Sequence, residues 1–165
     1  MGDSNVTLRA RIAAGVAGGI AGGVIDALFL ILVALAGGAS LGKALGIFTW
    51  IASVAIGPSA AGNPAAPALG VVLHFCVAIA WALGYAYLTR TQPQLLTRPI
   101  LSGLAFGVVV MIAMDMLLVL VGKYTLRDVP QFLTALFAHC VCYGVPVALV
   151  VSRMLAPRTA GSGAR

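Results

Sequence analysis

Residues 12–36 read IAAGVAGGIAGGVIDALFLILVALA, twenty-five positions that are apolar or glycine except for one carboxylate, Asp26. About 20 residues at 1.5 Å each cross the ~30 Å hydrocarbon layer of a bilayer, so this stretch reads as a membrane span. Arg9 and Arg11 precede it, as basic residues precede a secretory signal. Its apolar run is too long for the ~7–15-residue core of such a signal and it holds a charge, so it reads as a retained first span.

The rest of the chain has the same character. Hydrophobic residues make up 61% of the 165 and charged residues 8%, and mean hydropathy is +1.08. These values exclude a soluble domain of this size. Three more stretches are long enough to cross: Leu69–Leu88, Ile100–Val121 and Phe132–Leu155. Leu41–Ile56 is apolar but short, and it carries Lys43. Leu41, Leu45, Phe48, Ile51 and Ala55 fall at helical spacing, so it is expected to be an interfacial or re-entrant helix, a fifth crossing being the alternative. Pro58, Asn63, Pro64 and Pro67 mark a turn-rich connection before the second span. The expected fold is an all-α polytopic membrane four-helix bundle forming one domain over residues 1–157, with a disordered polar tail at 158–165.

Charge sets the expected orientation. With four crossings the amino terminus, the 89–99 loop and the carboxyl tail share a side. That side holds Arg9, Arg11, Arg90, Arg98, Arg153, Arg158 and Arg165, while the other holds only Lys43, Lys123 and Arg127. The positive-inside rule puts both termini in the cytoplasm. The net charge of +6 is thereby absorbed as a topology signal and no nucleic-acid partner is expected. The expected partner is the lipid bilayer.

A shift of 89 residues lays the first span on the third, matching Gly18 with Gly107, Asp26 with Asp115 and Leu28 with Leu117, and the second and fourth spans each carry a histidine near their start. The chain thus reads as two parallel helical-hairpin repeats. Gly15, Gly18 and Gly22 form a stripe with Asp26, and Gly103 and Gly107 form another with Met111 and Asp115. Small residues at this spacing let helix backbones approach, so both stripes are candidate packing faces.

The chain has no glutamate and four aspartates, two of them inside spans. A carboxylate at span depth costs roughly 2.5–3.5 kcal/mol on insertion scales and ordinarily faces a bundle interior, a partner or a water path. Asp26, His74, Asp115 and His139 all fall ~8–15 Å below the non-cytoplasmic face, so one polar layer is expected. The layer admits three readings. It could relay or transport protons or a small solute, because buried carboxyl and imidazole groups titrate toward neutrality. It could bind a metal through His74, His139 and Cys142, or a haem between the two histidines. It could be structural, pinning helix register in a scaffold or accessory subunit. Pro146 frees the carbonyl of Cys142 as a further acceptor near His139. The relay reading is preferred, with no resident cofactor expected, and it implies a homo-oligomer or a larger membrane complex, because four spans leave little room for a path.

Other chemistry is thinly represented. Cys140-Val-Cys142 is not a redox pair, and Cys76, Cys140 and Cys142 read as small packing residues. Trp50, Trp81, Tyr85, Tyr87 and Tyr124 lie near span ends and read mostly as interfacial anchors. The chain carries no nucleotide loop, zinc-protease motif or nucleophile elbow, and no catalytic residue is assigned. An enzyme is not expected.

One resemblance covers most of the length. It rests on Gly18 to Asp26, Ile51-Ala52-Ser53 with Gly57, Gly70 with Leu73-His74-Phe75, Tyr85 and Tyr87, Arg98-Pro99, Gly103 with Gly107, and His139 with Gly144. In these positions the chain resembles a group of four-span inner-membrane proteins of proteobacteria to which no activity is attached. The resemblance implies a multi-pass protein of a bacterial inner membrane. It also implies that Asn often replaces Asp at the position of Asp115, where a hydrogen-bonding side chain would then suffice.

Overall fold

Thr7 caps the first helix with its hydroxyl, which accepts the Ala10 amide at 3.2 Å, and from there the chain is helical nearly throughout. A computed structural model describes residues 6–156. Its elements are α1 (Leu8–Ala36), α2 (Leu41–Ile56), α3 (Ala66–Leu88), α4 (Pro99–Leu120), α5 (Val129–Phe137) and α6 (Val145–Leu155). Ala138–Gly144 is π-helical and joins α5 to α6 in one rod, Val129–Leu155. Short 3₁₀ turns lie at Gly57–Ala60 and Pro93–Leu96. Prolines open several helices where a missing N–H costs nothing, and Asp128 with Gln131 forms a reciprocal capping box on α5. Among the described residues five helical segments are long and apolar enough to cross a membrane, the fifth being Leu41–Ala60. The tail expected to be disordered, residues 158–165, lies outside the described residues.

Glycine decides which helices touch. Along α1, Gly15 lies against Leu83, Gly19 against Ile79 and Gly23 against Phe75 and Ala78, a descending series that makes α1 and α3 antiparallel. On the adjacent face Gly18 meets Val147 and Val151, and Gly22 meets Tyr143 and Val147, so α6 also runs antiparallel to α1. The expected stripe of Gly15, Gly18 and Gly22 is thus divided between two neighbours, and Gly19 and Gly23 complete the second face. On α4, Gly103 abuts Gly144 and Val145, and Gly107 abuts His139 and Cys140. A Cβ on Gly103 would stand 2.7 Å from the Gly144 carbonyl oxygen, so the backbones are in contact.

The glycines matched by the 89-residue shift therefore both pack on the last rod. Gly18 reaches it from the other half of the chain and Gly107 from its own half, so their neighbours are not related by a two-fold.

The α3–α4 side closes differently. Phe106 of α4 stacks against Tyr85 of α3 at 4.8 Å and Tyr143 of the π segment at 6.1 Å. These helices meet through side chains and leave space between them.

One end of the bundle is pinned by hydrogen bonds. Arg11 donates to Thr89 Oγ1 at 2.7 Å and to the Ala86 carbonyl at 3.2 Å. Ser102 donates to the Leu95 carbonyl at 2.9 Å and pairs with Tyr85 at 2.8 Å, while Ser152 donates to the Leu96 carbonyl at 3.1 Å. The Pro93–Leu96 turn is thereby tied to α4 and α6. Tyr85, read from sequence as an interfacial anchor, is only 2% exposed and belongs to this network. Tyr87 and Trp50 remain exposed, as anchors would be.

At the other end α1 and α4 finish while α3 and α5 begin. There α2 packs on the start of α3: Phe48 lies against Gly70, and Ala52 and Ala60 pack with Ala66. Lys123, just past α4, shares a groove with Gly46, Trp50 and Ser53 of α2.

Candidate functional site

Asp26 is set by the glycine face it continues. Gly18, Gly22 and Asp26 follow at four-residue steps, so a stripe that packs on the last rod aims the carboxylate at that same rod. Asp26 is 9% exposed. Its atom Oδ1 is fully enclosed and, among the described residues, is the one buried side-chain polar atom without a hydrogen-bond partner. A buried carboxylate oxygen left without a donor is costly, and native structures rarely keep one without a use.

A cavity of about 120 Å³ lies beside it, between α3 and α4, walled by Asp26, His74, His139 and Tyr143 together with apolar side chains and Trp81. The histidines come from the neighbouring rods: His74 is eight residues into α3 and His139 ten residues past the start of α5. These are ~12 and ~15 Å along their rods, against ~15 Å for Asp26 counted back from Ala36, so the three share a depth.

Both rings have a defined tautomer. His74 Nε2 is 2.9 Å from the Gly23 carbonyl, and His139 Nδ1 is 2.9 Å from the Ala135 carbonyl. A carbonyl only accepts, so each of these nitrogens carries a hydrogen, and in the neutral rings His74 Nδ1 and His139 Nε2 are lone pairs. Neither of those nitrogens has a protein partner among the described residues. Tyr143 has likewise committed its hydroxyl, donating to the Ala78 carbonyl at 2.5 Å.

His139 and Tyr143 lie in the π-helical turn and share one wall of the cavity. Pro146 has no N–H for the Cys142 carbonyl, and its ring would crowd that carbonyl in a regular α-helix. The Val145 amide bonds instead to the Cys140 carbonyl, five residues back. Positions 139 and 143, four apart, stay on one side of the rod, and such bulges occur often at functional positions.

Asp115 is elsewhere. It lies only five residues before the end of α4, ~8 Å in, and is gripped by both terminal nitrogens of Arg127 at 2.6 and 2.7 Å. Both side chains are 23% exposed, near the bundle end. Donating to Asp115 raises the pKa of the Arg127 guanidinium, and the facing Tyr124 ring lies 5.8 Å away. The expected four-residue layer is therefore three residues and a separate ion pair.

The metal reading loses its ligand set. Among the described residues no three His, Cys, Asp or Glu side chains are grouped to hold an ion, so His74, His139 and Cys142 do not converge. Cys140, against Gly107 of α4, and Cys142 are buried, and Cys76 is exposed. The cavity matches the class that admits one six-membered ring, which is too small for a tetrapyrrole.

The bundle, with a buried Asp26 beside two half-buried histidines, defines an apolar protein that is all-helical over the described residues. The chain belongs to a family of unknown function, DUF6789, whose model matches residues 9–161. No curated protein and no solved structure matches it.

Proposed function

We propose that this is a multi-pass protein of a bacterial inner membrane that relays or transports protons or a small solute through Asp26, His74 and His139. The observation that carries the proposal is the enclosed, unpaired Asp26 carboxylate beside a cavity it shares with two tautomer-fixed imidazoles. Each group can take up and release a proton, and none is spent on an ion pair.

The proposed topology has four crossings with both termini cytoplasmic. Its support is the position of α2, which is separated from the end of α1 by four residues, packs on the first turns of α3, and lies beside Lys123 past the end of α4. All three landmarks belong to one end of the bundle, as suits an interfacial or re-entrant helix. The glycine faces are spent inside the chain and the cavity lies within it, which favours a relay complete in one copy over one that needs a homo-oligomer.

A scaffold or accessory role is the second reading, favoured by the bond from His74 to Gly23, which staples α3 to α1. Reconstitution in liposomes with an internal pH dye separates the two. Asp26→Asn is expected to abolish a proton-linked flux at unchanged yield of folded protein, and a variant that conducts like the parent sinks the relay.

A further inference from the structure

The cavity's hydrogen-bonding inventory is one-sided. Around its polar end stand the Asp26 carboxylate and, in the neutral rings, the lone pairs of His74 Nδ1 and His139 Nε2, all acceptors. The hydrogens these side chains could have offered already go to carbonyls of Gly23, Ala135 and Ala78. The one indole N–H on the wall belongs to Trp81, seven residues and about 10 Å along α3 from His74. With the carboxylate ionised, this set of acceptors is complementary to a cation rich in N–H donors.

The remaining wall narrows the class. Leu73, Val77, Val110 and Met114 are apolar, and the Trp81 and Tyr143 rings offer π faces that attract cations. The volume of about 120 Å³ is close to that of cavities that accept a six-carbon ring. An inorganic ammonium ion would use the acceptors and leave the apolar wall untouched. A short hydrocarbon alone would leave Asp26 unpaired.

We infer that the cavity is a binding site for a short primary alkylamine of about four to six heavy atoms, held as its ammonium ion by the Asp26 carboxylate and with its chain against the apolar wall. This rests on the relay reading of the same three residues and names its substrate class. The ammonium ion donates to Asp26 and to an imidazole lone pair.

The test uses the full chain in lipid nanodiscs, with Trp50→Phe leaving Trp81 as the only indole. Three probes of matched length are titrated against Trp81 fluorescence: n-butylammonium chloride, n-butanol and sodium butyrate. A saturable response is expected for butylammonium at a dissociation constant about tenfold or more below that of butanol, with none for butyrate. Asp26→Asn is expected to erase the preference and Asp115→Asn to keep it. Equal binding of butanol and butylammonium, no saturation by any probe, or a preference that survives Asp26→Asn each overturn the inference. The parent comparison decides even where Asp26→Asn fails to fold. Asp26-dependent proton flux without amine preference rejects the substrate class and leaves the relay standing. Amine preference without such flux sustains the site and rejects the relay.

Discussion

The two membrane aspartates show how position converts one residue type into two kinds of chemistry. Asp115 is near the bundle end, where Arg127 can reach it from the connection and neutralise it with two hydrogen bonds. Asp26 is about twice as deep, beyond the reach of any arginine in the connections, and its enclosed oxygen has no donor among the described residues. An unsatisfied buried polar group costs about 1–3 kcal/mol, so the native carboxylate lowers stability. Asp26→Leu, which places an apolar side chain beside the cavity, is therefore expected to raise the melting temperature in detergent by about 2–4 °C per kcal/mol recovered. A lower melting temperature or loss of folded yield would mean that the carboxylate holds the bundle together.

At the scale of elements, α1 is a two-sided spacer. Its glycines face α3 on one side and the last rod on the other, and no side chain larger than hydrogen fits at the tightest crossings. A Cβ on Gly19 would stand 2.5 Å from Ile79 Cα, a backbone atom that moves only if α3 moves. Gly84, on the outer face of α3, has nothing within 4 Å of the same construction. Gly19→Ala is expected to cost about 1–3 kcal/mol. Gly84→Ala is expected to be neutral or to stabilise by up to about 1 kcal/mol through helix propensity. Thermal unfolding of the two variants side by side checks the packing, since equal effects would contradict an α1–α3 backbone contact. The π-helical turn is the other element with a cause visible in the sequence. Pro146 offers no N–H to the Cys142 carbonyl, and the Val145 amide turns to the Cys140 carbonyl.

For the whole molecule, the question is how many times the chain crosses. Five segments pass a test of length and apolarity, and α2 keeps company with the ends of α1 and α4 and the start of α3 while its Ile51 reaches the cavity wall. Single cysteines at Gly62 and Lys123, in a background without Cys76, Cys140 and Cys142, are expected to react with an impermeant thiol reagent from the periplasmic side. A cysteine at Thr91 is expected to react only after the inner membrane is opened. With the amino terminus cytoplasmic, protection of positions 62 and 123 together with outside labelling of position 91 would mean that α2 spans, since two crossings would then precede residue 62 and three residue 91.

Periodicity and hydropathy were enough to find the helices, because a segment with no water to bond its backbone must be helical and long. Expected starts and ends fell within a few residues of α1, α3 and α4, and Asp26, His74 and His139 were singled out because charge and imidazole are rare in such segments. Depth arithmetic along single helices correctly grouped those three, but it placed Asp115 with them because a linear count does not see Arg127 folding back twelve residues later. Which glycines meet which helix, the burial of Tyr85 under Ser102, and the commitment of each imidazole to one carbonyl depend on rotation about helix axes. That rotation is set by how all the faces fit at once, so it was decided only when the helices packed.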